Sequence, residues 1–303
     1  MNALIYYLAY PILFLISRLP FPLFYKLSDL VCFILYRVFG YRKSVVRSNI
    51  KRAFPSYTDS ELMFIERKFY SHLCDLFLEI IKSMGMSKDE MIKRFHVKNI
   101  EVLTQFESQN RSVFLMCGHY ASWEWMMSLG YHMKHKGYGI YTPISNPYFD
   151  DLIRKIRSRH DAFMISQRTA SKKIKQMEDN NERGVFGFAS DQSPRPKPLA
   201  YWRSFMGVHV PVYTGAERMA REFDIPVVFV NAAATSLTPF LFNSSAPIFC
   251  SMVVAFRCSV NKALSYNNIK IYKITKSPNA AIARNLGFNK SKGDVIFFID
   301  GDM

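Results

Sequence analysis

Apolar positions along the chain fall into two long amino-terminal runs and then into a regular exchange of helical and strand spacing. Residues 1–17, MNALIYYLAYPILFLIS, carry no charge, and the apolar character persists to Tyr41 with only Arg18, Lys26, Asp29 and Arg37 breaking it. The first run is near the lower limit for crossing a bilayer, and Pro11 interrupts it. Two arrangements satisfy the pattern: one marginal transmembrane helix, or a pair of helices lying in the leaflet. Either makes residues 1–41 membrane anchor helices, against the alternative of a buried helix in a soluble domain. No basic segment precedes the run and no small-residue cleavage site follows it, so a cleaved signal peptide is not expected.

Beyond residue 58 the spacing becomes that of a layered α/β domain. Asp59 or Ser60 caps a helix whose apolar positions Leu62, Ile65, Phe69, Leu76 and Ile80 share a face, with Gly85 at its end. A short strand is predicted at IKRFHVKNI and a helix over residues 100–109. Then SVFLMCGH, YGIYTPIS, DAFMIS, GVFGFASD and IPVVFVNA read as strands. The segments between them, WEWMMSLGYHMKHKG, NPYFDDLIRKIRSRH, TASKKIKQMEDNNER and TGAERMAREFD, read as helices. Strands alternating with helices predict a mostly parallel sheet covered on both faces.

Charge narrows the class of partner. The 303 residues carry 40 Lys and Arg against 24 Asp and Glu, a net charge of +16, which favours an anionic surface. Arg42, Lys43, Arg47, Lys51 and Arg52 follow the apolar runs, with no acid until Asp59. That one-sided charge fits an anionic membrane at its cytoplasmic face. A nucleic-acid-binding protein is the competing class, but no zinc-finger, helix-turn-helix or RNA-binding spacing is present and the apolar amino terminus argues against it, so no nucleic acid is expected. Cys32, Cys74, Cys117, Cys250 and Cys258 form no CxxC pair and read as reduced thiols.

The candidate chemistry lies where SVFLMC gives way to GHYASWEW, residues 118–125. A buried strand has no use for an imidazole and a carboxylate at its carboxyl end, whereas ligands bind beyond such ends in open parallel sheets. His119 and Asp191 both follow strands. A carboxylate on one ring nitrogen fixes the tautomer and leaves the other nitrogen to take a proton from a substrate hydroxyl. Glu124 is the expected orienting carboxylate if the loop at 118–121 turns it back towards the ring. Cys117, two residues before His119, reads as a core thiol rather than a nucleophile.

These pieces, with NPYFDDLIRKIRSR, GVFGFASDQSP and FMGVHVPVYTGAERMAREFDIPVVFV in the same order, resemble the lauroyl/myristoyl acyltransferases of lipid A biosynthesis, a branch of the lysophospholipid acyltransferase superfamily. The resemblance spans about residues 1–232 and implies a glycerolipid-acyltransferase-like α/β fold at 42–232. It implies transfer of a fatty acyl group from acyl carrier protein to a hydroxyl of a lipid A precursor or related glycolipid. His119 would be the general base and Glu124 its partner, with no cofactor, at the cytoplasmic face of the inner membrane. Arg168 in ISQRTASKK is then expected near the thioester oxyanion or a substrate phosphate, with Asp191 holding Arg168 or its loop. SPRPKP and Arg203 supply a basic rim.

After Val230 the pattern departs from that family: residues 231–264 are expected to lack its closing strand, making 233–267 an irregular junction. Residues 268–303 resemble instead a partial nucleotide-sugar-binding (GT-A-like) fragment of the family 2 glycosyltransferases, through Ala283, Arg284, Asn285, Gly287, Gly293, Asp294, Asp300 and Asp302. In a working glycosyltransferase Asp300 and Asp302 would hold Mg or Mn against a nucleotide sugar. The early strands and the acceptor half of that fold are not found, so a truncated or rearranged, non-functional join is the expected origin of the tail.

Overall fold

A computed structural model describes residues 2–234 and 248–255, apart from 120, 197 and 199. The junction outside 248–255 from residue 235 onward, and the whole tail with Asp300 and Asp302, lie outside the described residues.

The amino-terminal third is helical: α1 (Asn2–Arg18), α2 (Phe21–Phe33) running into a π-turn at Ile34–Val38, α3 (Lys43–Ala53), α4 (Asp59–Ser83) and α5 (Lys88–Arg94). α1 continues through Pro11 instead of breaking there. At 17 residues it is still short, and among the described residues no helix is long and apolar enough to cross a membrane. Of the two arrangements the sequence allowed, a transmembrane helix is therefore not found among the described residues. Leu4, Leu8, Ile12 and Leu15 form a stripe at helical spacing, each more than half exposed. Tyr6, Tyr10 and Leu13 pack the other side onto Leu152 and Ile156.

α4 starts one residue earlier than the spacing suggested. Thr58 is its cap, in a reciprocal capping box with Glu61. Its far end is fastened to the α1–α2 turn, where Lys82 Nζ donates to the Ser17 carbonyl at 3.0 Å and to that of Leu19 at 2.5 Å. Gly85 makes this approach possible, since a Cβ there would stand 2.3 Å from the Ser17 carbonyl oxygen.

The remaining chain builds the sheet. Its strands are β1 (Phe95–Lys98), β2 (Val113–Cys117), β3 (Lys136–Tyr141), β4 (Ala162–Ser166), β5 (Gly184–Ala189), β8 (Val227–Ala234) and β9 (Ile248–Ala255), and β6 (Tyr201–Phe205) with β7 (Val208–Val212) forms a separate antiparallel hairpin. The order is β1-β9-β8-β2-β5-β3-β4, parallel throughout except between β8 and β9. Helices α6 (Glu101–Ser108), α7 (Pro147–Ser158), α8 (Ala170–Asp179) and α9 (Gly215–Glu222) connect the strands. The segment after β2 is a 3₁₀ helix, Trp123–His132, rather than a regular one.

β2 shows why the run SVFLMC is continuously apolar. Val113 and Leu115 join one core with Phe95, Leu103 and Trp125, while Phe114 and Met116 join the other with Ile174, Phe186 and Met219. Alternate residues are thus buried on opposite faces, as a central parallel strand requires. β9 is a strand within the segment expected to be an irregular junction. IFCSMVVA is rich in β-branched and aromatic residues, and it inserts between β1 and β8.

Candidate active site

Neighbouring parallel strands β2 and β5 end together, with Cys117 opposite Ala189, so the residues that follow each emerge side by side. The Ser190 amide donates to the Cys117 carbonyl at 3.2 Å and prolongs the ladder by one step. His119 and Asp191 come next. The His119 backbone N–H donates to Asp191 Oδ2 at 2.8 Å, and its ring Nδ1 lies 2.7 Å from Oδ1. Gly118 leaves room for this grip, since a Cβ there would sit 3.2 Å from Oδ2. The Asp191 side chain is 4% exposed, while the imidazole keeps 22%.

An ionised carboxylate only accepts, so Nδ1 carries the hydrogen and the lone pair is on Nε2. Asp191, not Glu124, is therefore the carboxylate that orients His119. The edge of Trp123 packs on the imidazole, with centroids 4.6 Å apart, and confines the ring from the other side.

Glu124 is buried and engaged elsewhere. Arg157, in the last turn of α7, holds it through Nε at 2.9 Å and Nη2 at 2.5 Å, a two-pronged pair with side-chain exposures of only 15% and 6%. The spacing of Glu124 from His119 suggested a dyad, but the 3₁₀ turn beginning at Trp123 sends its carboxylate to α7 instead. Arg157 was not singled out from the sequence, because it looks like one more base on an amphipathic basic helix. Its only signal was a carboxylate in search of a partner.

Arg168 does not join the pair. It is exposed on the loop after β4, the edge strand, with β3 and β5 between β4 and β2. At about 4.8 Å per strand, roughly 10 Å separates the strand that precedes Arg168 from the one that precedes Asp191. Cys117 packs with the apolar core, as expected of a structural thiol. Arg203 lies in the β6–β7 hairpin against Tyr201.

The turn carrying His119 is itself constrained. Ala121 has φ of 50°, a left-handed conformation that costs a non-glycine residue about 1–2 kcal/mol. Ser122, next along, is buried and donates its hydroxyl to Glu79 of α4. α1 reaches the same side of the sheet: Asn146, the cap of α7 after β3, donates to the Asn2 carbonyl at 3.3 Å, and Tyr6 stacks on Tyr148.

A histidine–carboxylate pair at the carboxyl ends of two central parallel strands is compatible with several reactions, and comparison with known proteins separates them. Residues 1–240 match the bacterial lipid A biosynthesis acyltransferase family. The chain belongs to that family. It is also similar to the lipid A biosynthesis lauroyltransferase of Escherichia coli (strain K12), with 24% identity over 214 residues, covering 69% of this chain and 67% of the relative. The matched range ends at residue 240 and does not include the tail.

Proposed function

We propose that this member of the lipid A acyltransferase family moves a fatty acyl group from an acyl carrier protein thioester to a hydroxyl of a lipid A precursor or related glycolipid. The observation that carries the reading is the His119–Asp191 pair at the ends of β2 and β5. His119 Nε2 removes the proton of the acceptor hydroxyl as its oxygen attacks the thioester carbonyl. The new C–O bond forms, the C–S bond breaks as the tetrahedral intermediate collapses, and the imidazolium returns its proton to the departing thiolate. Asp191 stabilises the imidazolium through Nδ1–H without taking the proton itself. Glu124 and Arg157 brace the 3₁₀ turn against α7. Arg168, on the rim, suits a substrate phosphate or the acidic carrier better than the thioester oxyanion.

The bilayer supplies the acceptor. The exposed stripe of α1, the exposed Leu30 and Phe33 of α2 and the basic residues of α3 form the surface proposed to lie at the cytoplasmic face of the inner membrane. α1 begins beside the α7 cap, on the side of the sheet where β3 ends. The test is incubation of the detergent-solubilised full chain with lauroyl-acyl carrier protein and a lipid A precursor, read by mass spectrometry of the lipid. The wild type is expected to add one acyl mass per acceptor and His119→Ala to add none. An unmodified acceptor with folded wild type would overturn the proposal.

A further inference from the structure

The buried carboxyl group of Glu79 is used by no step above, yet it touches the turn that carries the base. Glu79 lies on the sheet-facing side of α4 and is 6% exposed. Its Oε1 accepts from the Tyr25 hydroxyl of α2 at 2.9 Å, and its Oε2 accepts from the Ser122 hydroxyl. The Trp125 indole N–H donates to its backbone carbonyl at 3.4 Å, so the helix and the turn meet at two points. Ser122 stands between the left-handed Ala121 and Trp123, whose ring confines the imidazole of His119. The Trp123 amide donates back to the Ala121 carbonyl at 2.8 Å, which makes these three residues one tight unit. A force on Ser122 is therefore felt at His119.

We propose that Glu79 is a positioning residue of the acyl-transfer site, holding the His119 turn through Ser122 more firmly while its carboxylate is ionised, and so making the reaction pH-dependent. The inference rests on His119 being the base. Two hydroxyl donors point at two carboxylate oxygens, an arrangement that suits the anion. A proton on either oxygen makes it a donor, so one hydroxyl must turn its hydrogen away and accept instead, exchanging a charge-assisted bond for a weaker neutral one. Tyr25 is a long ring wedged against Phe21 and Phe24, whereas the Ser122 hydroxyl is a free rotor on a strained turn, so Ser122 gives way.

The titration falls in a useful range. Burial pushes the Glu79 carboxyl up to about 7, opposed by the Ser122 hydrogen bond, reinforced by Asp75 one turn earlier on α4, and opposed again by Tyr25 from α2 and Arg94 from α5. Both forms of Glu79 are then populated near neutral pH.

The experiment compares wild type, Glu79→Gln and Ser122→Ala as full chains in detergent, with lauroyl-acyl carrier protein and a lipid A precursor. Between about pH 8 and 6, kcat of the wild type is expected to fall by up to about tenfold as Glu79 takes up its proton, beyond any fall shared with the variants. Both variants should lack this step, with a shallower slope across that range, kcat about tenfold lower at pH 8 and KM for the donor little changed. Hydrogen exchange of the segment 119–125, corrected for the intrinsic effect of pH, supplies a readout independent of turnover. Protection should be lost in the wild type as pH falls from about 8 to 5.5, and should be low and flat in both variants. Should Glu79→Gln fold poorly, Ser122→Ala, which removes no charge, carries the same expectation. Variants that keep the wild-type slope and protection would overturn the proposal, as would a uniform loss of rate with an unchanged slope. A wild type inactive in acyl transfer would sink the catalytic reading separately, with the exchange data still deciding whether Glu79 controls the turn.

Discussion

Single residues at the site divide into those that meet the reacting atoms and those that hold them. His119 is the proposed base, and its removal should cost about 10²–10⁴ in rate, the usual worth of a general base. Asp191→Asn should keep the fold but present the wrong hydrogen-bonding partner to Nδ1, with a loss of similar order measured as kcat. Glu124 behaves differently because its partner is Arg157. Glu124→Ala strands a buried guanidinium, and thermal unfolding should report a loss of about 3–5 kcal/mol. Replacing both by apolar residues of similar volume should recover most of it. His119 and Asp191 were legible in the sequence because each follows an apolar run at a strand end. The pairing was not, because i,i+5 spacing suggests a contact that a 3₁₀ turn does not make.

Among the elements, α4 does most to connect the amino-terminal helices to the sheet. It clasps the α1–α2 turn through Lys82, and it reaches the catalytic turn through Glu79. Gly85→Ala would drive a methyl group into the Ser17 carbonyl, so the clasp should open, with a destabilisation of about 1–3 kcal/mol and faster hydrogen exchange in α1. Glu79 also carries a stability signature. Its folded-state pKa, raised by burial, lies above the ordinary carboxyl value, so the folded chain binds the proton more tightly and this group's stabilisation fades as pH rises from about 4.5 to 7. Thermal melts should therefore show Glu79→Gln gaining on the wild type across that window, even as the variant loses activity. The helices and strands of the sheet domain were readable from periodicity, since each has a continuous apolar face. The β6–β7 hairpin was not, because exposed strands such as YWRSF lack one, and β9 was missed because its strand-forming residues sit in a segment read as irregular.

At the scale of the whole molecule, the proposal puts the chemistry at the carboxyl ends of the strands and the exposed apolar side chains of the amino-terminal helices at a membrane surface. Phospholipid vesicles test that division of labour directly. Binding should require both the α1 stripe and anionic lipid, weaken as salt is raised, and fall about tenfold or more when Leu8 and Leu15 are both replaced by Asp. The overall class was legible because a net charge of +16 beside uncharged apolar runs has few physical uses. The sequence left a spanning helix open, because the apolar run is near the limiting length and only the 17-residue α1 shows where it ends. The central claim is that His119 and Asp191 act as one unit in acyl transfer, and a double-mutant cycle on kcat/KM with lauroyl-acyl carrier protein measures it most directly. The account predicts that Asp191→Asn costs about 10² or more in the wild type and almost nothing once His119 is alanine. Equal losses in both backgrounds would contradict it, because Asp191 would then be serving the reaction, or the fold, without His119.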